Sequence, residues 1–309
     1  MRSSRTLAGT LLALGAVLLW GVNGTVSRAV LDSGLSPLRL AEIRITGSAA
    51  ILLVAVALVR RAELRLGRRD VLAFAAFGVI GMIFVQWMYF EAIDRIPISL
   101  ALIIEYLAPL MVAIWVRVVW KRHLPWLAWA AIPVALAGLA LALGLTGGDL
   151  GGLSGVGVLW SLGAGCSYAY YALHAEVLTR TRTPAAVLAL GLGFGSVALA
   201  VVAPWWSFPY DALGGTGAIG SLDVPVWLAV AWVVVLGTVI PFTLLVTGVR
   251  MIGADGAIVT AMTEPIFAGA VAWVVLGQVL TPTQIVGGAI VLAAVTVAQV
   301  ARARASAMG

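Results

Sequence analysis

Apolar runs of some twenty residues follow one another along the whole chain, separated by short charged or turn-rich stretches. A helix rising about 1.5 Å per residue needs ~20 mostly apolar residues to cross a hydrocarbon core ~30 Å thick. The breaks predict membrane helices near residues 7–27, 37–58, 71–93, 98–119 and 126–145. Beyond the glycine-rich stretch Gly147–Gly155, they predict five more near 156–178, 184–203, 224–249, 255–277 and 283–301. Prolines punctuate the same pattern. Pro37, Pro97, Pro125, Pro184, Pro225 and Pro282 fall at or just before expected helix starts, where a missing N–H costs nothing. Pro204 and Pro209 lie in one long loop, Pro204–Asp223, which leaves Pro109, Pro133, Pro241 and Pro265 inside helices.

Charge gives an independent check on the parsing. Counted from a cytoplasmic N-terminus, the inside segments hold Arg2, Arg5, Arg60, Arg61, Arg65, Arg68, Arg69, Lys121, Arg122, Arg180, Arg182, Arg250, Arg302 and Arg304. The outside segments hold Arg28, Arg39 and Arg95. That asymmetry follows the positive-inside rule, and an odd number of helices would scramble it. The expectation is an all-α integral membrane protein of the cell membrane, multi-pass, with ten transmembrane helices and both termini cytoplasmic. The basic run Arg60–Arg69 then reads as a topology anchor. The opening residues have the charge order of a signal peptide, but the apolar run continues past Trp20 to about Ser27 and many like it follow. It reads better as the first membrane helix.

Composition agrees. The chain has 309 residues, 62% hydrophobic and only 10% charged, whereas soluble domains are roughly a quarter charged. The net charge of +6 is scattered in short clusters rather than gathered on one polar face, so no nucleic-acid partner is expected. Cys166 is the single cysteine, and His123 and His174 are the only histidines. No disulfide framework, metal site or cofactor is expected from so few ligands. A phosphate loop, a paired-carboxylate site and a nucleophile elbow are all missing from the sequence. The chain does not read as an enzyme or as an ATP-driven pump.

Sliding the sequence by 156 residues lays Ala92–Leu124 on Gly248–Leu280 without a gap. Ala101 then pairs with Ala257, Pro109 with Pro265, Val118–Val119 with Val274–Val275, and Leu124 with Leu280. The matching interior prolines carry most of the weight. Two halves, 1–146 and 147–309, would each hold five helices. An odd number makes the second half inverted relative to the first, an architecture of secondary transporters whose binding site lies near the midplane between repeats.

Ionisable groups at mid-membrane are costly, ~2.5–3.5 kcal/mol each on insertion scales, so they normally face a cavity or a partner. Glu105, Arg44 and Glu264 are placed at that depth by the helix boundaries. Pro109 cannot donate to the carbonyl of Glu105, nor Pro265 to that of Ala261. The turn Glu105–Pro109 thus offers a carboxylate, a carbonyl and the Tyr106 phenol to ammonium groups, protons or hydroxyls. The plainer alternative is a structural Glu105–Arg44 ion pair that fixes helix packing. Asn23 and Trp20, Gln86, Trp87 and Tyr89, and Tyr168, Tyr170 and Tyr171 could line a cavity, although aromatics near helix ends often mark the membrane interface. Gly78, Gly81, Gly191, Gly193, Gly195, Gly287 and Gly288 read as close helix-packing positions. Glu42 and Glu91, nearer the outer surface, read as hydrated.

Three stretches stand out as motifs: Trp20-Gly21-Val22-Asn23-Gly24, Leu35–Arg44 with Pro37, and Gly237-Thr-Val-Ile-Pro241-Phe242. In them the chain resembles the EamA group of ten-helix carriers in the drug/metabolite transporter superfamily. Glu264-Pro265 and Leu276-Gly277-Gln278 through Thr281-Pro-Thr-Gln284 continue the resemblance in the second half. Many relatives carry glutamate where Gln278 stands, and Lys121-Arg122 replaces a Gly-Glu pair at the end of helix 4. Ile104-Glu105-Tyr-Leu-Ala-Pro109-Leu is similar to the branch that includes threonine/homoserine exporters. The resemblance implies a central cavity lined mainly by helices 1, 3, 4, 6, 8 and 9, alternating access, and export of small metabolites such as amino acids. The expected substrate- or proton-binding residues are Glu105, Tyr106, Glu264, Arg44, Asn23, Gln86 and Tyr168, with Pro109, Pro265 and Pro241 breaking their helices. A coupling proton and a homodimer are compatible with this reading. The competing readings are a non-transporting scaffold and a carrier of drug cations or of phosphorylated or nucleotide-linked solutes.

Overall fold

A computed structural model describes residues 2–119, 121, 125–144 and 153–308, without the side chains of 2–6, 249–250, 252–259 and 302–308. Arg122, His123 and most of the Gly147–Gly155 stretch lie outside the described residues, as do the side chains of Arg2, Arg5, Arg250, Ala257, Arg302 and Arg304.

The first half runs α1 (Arg2–Asp32), α2 (Pro37–Arg60), α3 (Arg68–Ala76), α4 (Val85–Ile93), α5 (Ile98–Glu105), α6 (Ala108–Val118) and α7 (Trp126–Ala142). The second runs α8 (Gly155–Leu178), α9 (Pro184–Val202), α10 (Val226–Val234), α11 (Ile240–Ala261), α12 (Glu264–Leu276) and α13 (Pro282–Met308). Among the described residues, seven helical segments are long and apolar enough to cross a membrane, and α7 and α12 are shorter apolar helices. Leu58, Leu72, Val201 and Val274 are each more than 70% exposed. A shell this apolar calls for lipid.

Helix starts follow local chemistry. Ser154 and Thr183 accept from backbone N–H groups three residues on, at α8 and α9, which satisfies donors that a helix start leaves orphaned. Pro37 and Pro184 occupy first-turn positions, and Gly277 ends α12 in the left-handed region at φ 64°. That conformation costs glycine nothing.

Several expected boundaries are corrected. Helix 3 contains a π-helical stretch, Phe77–Phe84, between α3 and α4. Helix 4 is interrupted at Tyr106–Leu107, where α5 ends and α6 begins. Residues 250–254, expected as a loop between two crossings, carry helical backbone, and non-helical turns follow at Met262–Thr263. Arg250–Gly256 contains glycines and charges but no proline, so every residue keeps a backbone donor. The chain nevertheless reverses direction between Gly248 and Phe267, the interval that holds the expected connection. Gly248 packs on Gly9 and Ala13 of α1, whereas Phe267 and Ala268 pack on Gly21. A straight continuation would carry Phe267 away from Gly21 by tens of ångströms. The long loop Pro204–Asp223 is also more ordered than expected. It holds two 3₁₀ turns and most of a hairpin of β1 (Thr216–Ile219) and β2 (Leu222–Pro225), paired Thr216 to Pro225 and Ile219 to Leu222.

Glycines let helices approach backbone to backbone. A Cβ at Gly78 would lie 2.7 Å from both the Gly191 carbonyl and the Gly195 nitrogen, joining the π stretch to α9. Gly287 of α13 meets the backbone of Gly138 and Ala142 in the same way. Polar staples hold α2 and α9 together at both ends. At the end where α1 begins, Arg182 donates to the carbonyls of Glu63 and Arg65 and to Asp70, while Glu63 accepts from the N–H and hydroxyl of Thr183. At the opposite end, Arg39 pairs with Glu42 at 2.6 Å and donates to the Ala203 carbonyl and to Ser207. Glu42 is thus fully buried and paired rather than hydrated. Glu91 is likewise engaged, accepting from Trp87 Nε1 and Arg95.

Candidate functional site: a cavity between two broken helices

Two apolar clusters flank a central space. One gathers α1, α5, α7, α10 and α13 residues around Phe90, Ile98 and Ile104, and the other joins α2, α3 and α9 around Ile45, Phe77 and Leu192. Between them lies a cavity of about 340 Å³. Asn23, Arg44, Gln86, Glu105, Tyr106, Tyr168 and Glu264 all line it. Pro109 and Pro265, each beside a break, do not line it, nor does Pro241, which follows a π-helical turn without the expected interruption of its helix.

Each acid sits at a helix break. Glu105 ends α5, and its turn is pressed by α8, where a Cβ at Gly165 would lie 3.3 Å from the Glu105 carbonyl oxygen. Ser161 of α8 donates to the Ala101 carbonyl at 2.6 Å, which fixes the same contact one turn earlier. Glu105 is buried, and no hydrogen bond or ion pair joins its carboxylate to any described residue. Glu264 opens α12 at the second break. Its Oε2 lies 2.7 Å from the Tyr106 hydroxyl, which also reaches the Ala261 carbonyl at 3.1 Å. Pro265 leaves that carbonyl without its helical donor, and the phenol from the other half takes the vacant place.

Arg44 departs from one expectation. Instead of holding Glu105, its Nε donates to Thr238 Oγ1 at 2.8 Å and its Nη2 to the Gly237 carbonyl at 3.3 Å. The guanidinium also lies over Phe90, 5.5 Å from the ring centroid. The reason is local. Pro241 supplies no N–H to Gly237, and the backbone there widens into the π-helical turn Val235–Val239, so the carbonyl is available to a cation. Thr238 in turn donates back to the Val233 carbonyl at 2.9 Å. Arg44 still faces the cavity with its remaining N–H groups.

Aromatic rings complete the wall. Trp20 meets Phe242 edge-on at 5.2 Å, Tyr168 and Tyr171 stack at 5.8 Å, and Tyr89 stands at the side of the cavity nearer Asn23. Asn23 Oδ1 and Gln86 Oε1 are buried with no hydrogen-bond partner among the described residues. Such groups cost ~1–3 kcal/mol when left unmade. The cavity therefore offers acceptors, one carboxylate without a partner, one part-occupied cation and aromatic faces. It is suited to a small solute carrying an ammonium or hydroxyl donor.

The sequence profile of the EamA-like transporter family matches residues 7–144 and residues 155–299. The chain belongs to the EamA-like transporter family. Similar proteins include an uncharacterized transporter of Archaeoglobus fulgidus, 29% identical over 93% of this chain and 94% of its own. The inner membrane transporter YicL of Salmonella typhimurium, also uncharacterized, is 25% identical over 94% of both chains. The threonine/homoserine exporter RhtA of Escherichia coli K12 is 27% identical over 78% of this chain and 76% of its own. One solved crystal structure superimposes with a TM-score of 0.59 at 21% identity, covering 98% of this chain and 99% of that one. That likeness speaks to the fold alone.

The cavity of this EamA-like transporter has more walls than sequence reasoning assigned. Arg44 brings in α2, and Leu188 and Leu192 bring in α9. Thr238 was missed, although its place beside Gly237 and three residues before Pro241 was a usable signal. Leu102, Val85 and Leu245 carry no chemical signature that separates them from lipid-facing neighbours.

Proposed function

We propose that this transporter is a secondary carrier that exports small amine-bearing metabolites, amino acids among them, by alternating access. The carrying observation is the buried Glu105 carboxylate, which faces the central cavity with no hydrogen-bond or ion-pair partner among the described residues. Ten membrane crossings, built as two inverted five-helix repeats over 1–146 and 147–309, give the rocking halves. The two family matches, the paired interior prolines Pro109 and Pro265, and the break beside each of them support the repeat. The lysine and arginine asymmetry supports cytoplasmic termini in the cell membrane. The exporter named among the relatives supports the substrate class.

Glu105 receives the substrate ammonium, and Arg44, Asn23, Gln86 and Tyr168 meet its other polar groups. A protein reconstituted in vesicles and loaded with threonine should show counterflow of labelled threonine or homoserine. A parallel panel of sugars and cationic drugs separates the competing substrate classes. No counterflow of either amino acid, with robust counterflow of another class, overturns the amino-acid reading.

A further inference from the structure

The two helix breaks meet at one hydroxyl. Tyr106, from the first break, lies within hydrogen-bonding reach of both Glu264 Oε2 at 2.7 Å and the Ala261 carbonyl at 3.1 Å, at the second. A phenol carries one hydrogen and can satisfy only one acceptor fully. The Ala261 carbonyl lacks the regular α-helical donor, because residue 265 is proline.

The two protonation states of Glu264 fill this geometry differently. When the carboxyl is protonated, its O–H donates to Tyr106 Oη and Tyr106 donates to Ala261, so every group is paired. When the proton leaves to water in the cavity, the carboxylate takes the Tyr106 hydrogen in a charge-assisted bond, roughly twice as strong as a neutral one. Ala261 then loses its donor. We propose that Tyr106 is a one-hydrogen switch that couples the protonation of Glu264 to the backbone of the second helix break. The inference rests on the transport reading and deepens it. It makes Glu264 the proton site and leaves Glu105 to the substrate.

The groups that face Glu264 are few. Arg44 comes from α2, Tyr89 from α4, Glu105 from α5 and Tyr168 and Tyr171 from α8, all around the same cavity. α1, which packs along α12, has no ionisable side chain between Arg5 and Arg28, and α11 has none from Ile240 to Gly248. Among the described residues, Tyr106 is the one group on either break that touches both the acid and the freed carbonyl.

The test uses purified protein in vesicles, with no transported solute, titrated from mildly acidic to mildly alkaline pH. Infrared difference spectra should show a carboxylic C=O band that disappears in Glu264→Gln. In Tyr106→Phe the band should shift to higher frequency, as expected on loss of a hydrogen bond. Backbone exchange over residues 262–268, corrected for its intrinsic pH dependence, should rise several-fold in wild-type protein as the band is lost. That rise should vanish in Tyr106→Phe, and also in Pro265→Ala, which gives Ala261 a donor of its own. A band unmoved by Tyr106→Phe, or a pH-dependent exchange that survives in Tyr106→Phe or Glu264→Gln, overturns the switch. A pH-independent wild type overturns it too. Counterflow can succeed or fail independently of these readouts, so the transport reading is judged separately.

Discussion

The two broken helices hold the same parts but use them differently. At α5–α6 the acid precedes its proline by four residues, α8 crowds the backbone, and the carboxylate is left facing the cavity. At α11–α12 the acid adjoins its proline, and the carboxylate is engaged by a phenol that also serves the freed carbonyl. A third proline, Pro241, releases the Gly237 carbonyl to Arg44. Each proline thus creates a polar vacancy in an apolar setting, and what fills it decides the local role. A phenol fills it at Ala261 and a guanidinium at Gly237, whereas the carboxylate beside the first break is left to the cavity.

This contrast can be pushed until it breaks. The largest loss of stability is expected for Gly237→Ala, whose Cβ would fall on the Asn23 amide. Overpacking of this kind costs ~1–3 kcal/mol and occasionally more, and thermal unfolding in detergent should show it together with loss of transport. Thr238→Val removes the Arg44 acceptor while keeping shape, leaving a buried donor unmade at ~1–3 kcal/mol. A melting temperature equal to wild type would show that Arg44 is not anchored there. Gly165→Ala should cost about 1 kcal/mol, because its Cβ would be only 3.3 Å from the Glu105 carbonyl. Its effect should fall on transport through the position of Glu105, with α8 shifting by a few tenths of an ångström. Glu105→Gln should change stability least, within ~0.5 kcal/mol, since no described residue is hydrogen-bonded to or ion-paired with that carboxylate. A large drop in melting temperature would make Glu105 a packing residue.

The helical skeleton was legible because lipid demands long apolar runs, and because prolines and charges mark their ends. The freed Ala261 carbonyl was legible too, since the absence of a proline N–H is a property of the sequence alone. Its partner was not. Tyr106 reaches Ala261 only through the packing of α12 against α5, a contact between residues 155 positions apart. Arg44 illustrates the same limit: depth predicted a partner and named Glu105, but the π-helical turn at Val235–Val239 placed a carbonyl and a hydroxyl within reach instead. The helical backbone of residues 250–256 escaped notice because a glycine- and charge-containing stretch reads as a loop, yet it keeps all its backbone donors. Glu42 looked exposed because its burial depends on Arg39 reaching to the loop after α9.

The central claim is that the unpartnered acid, and not the anchored cation, carries the substrate's charge. Initial rates of threonine counterflow in vesicles, at matched protein per lipid, test it most directly for wild type and Glu105→Gln. Loss of a charge-assisted bond worth ~1.5–3 kcal/mol predicts a fall of roughly ten- to a hundredfold with the fold intact. Counterflow undiminished in Glu105→Gln would contradict it.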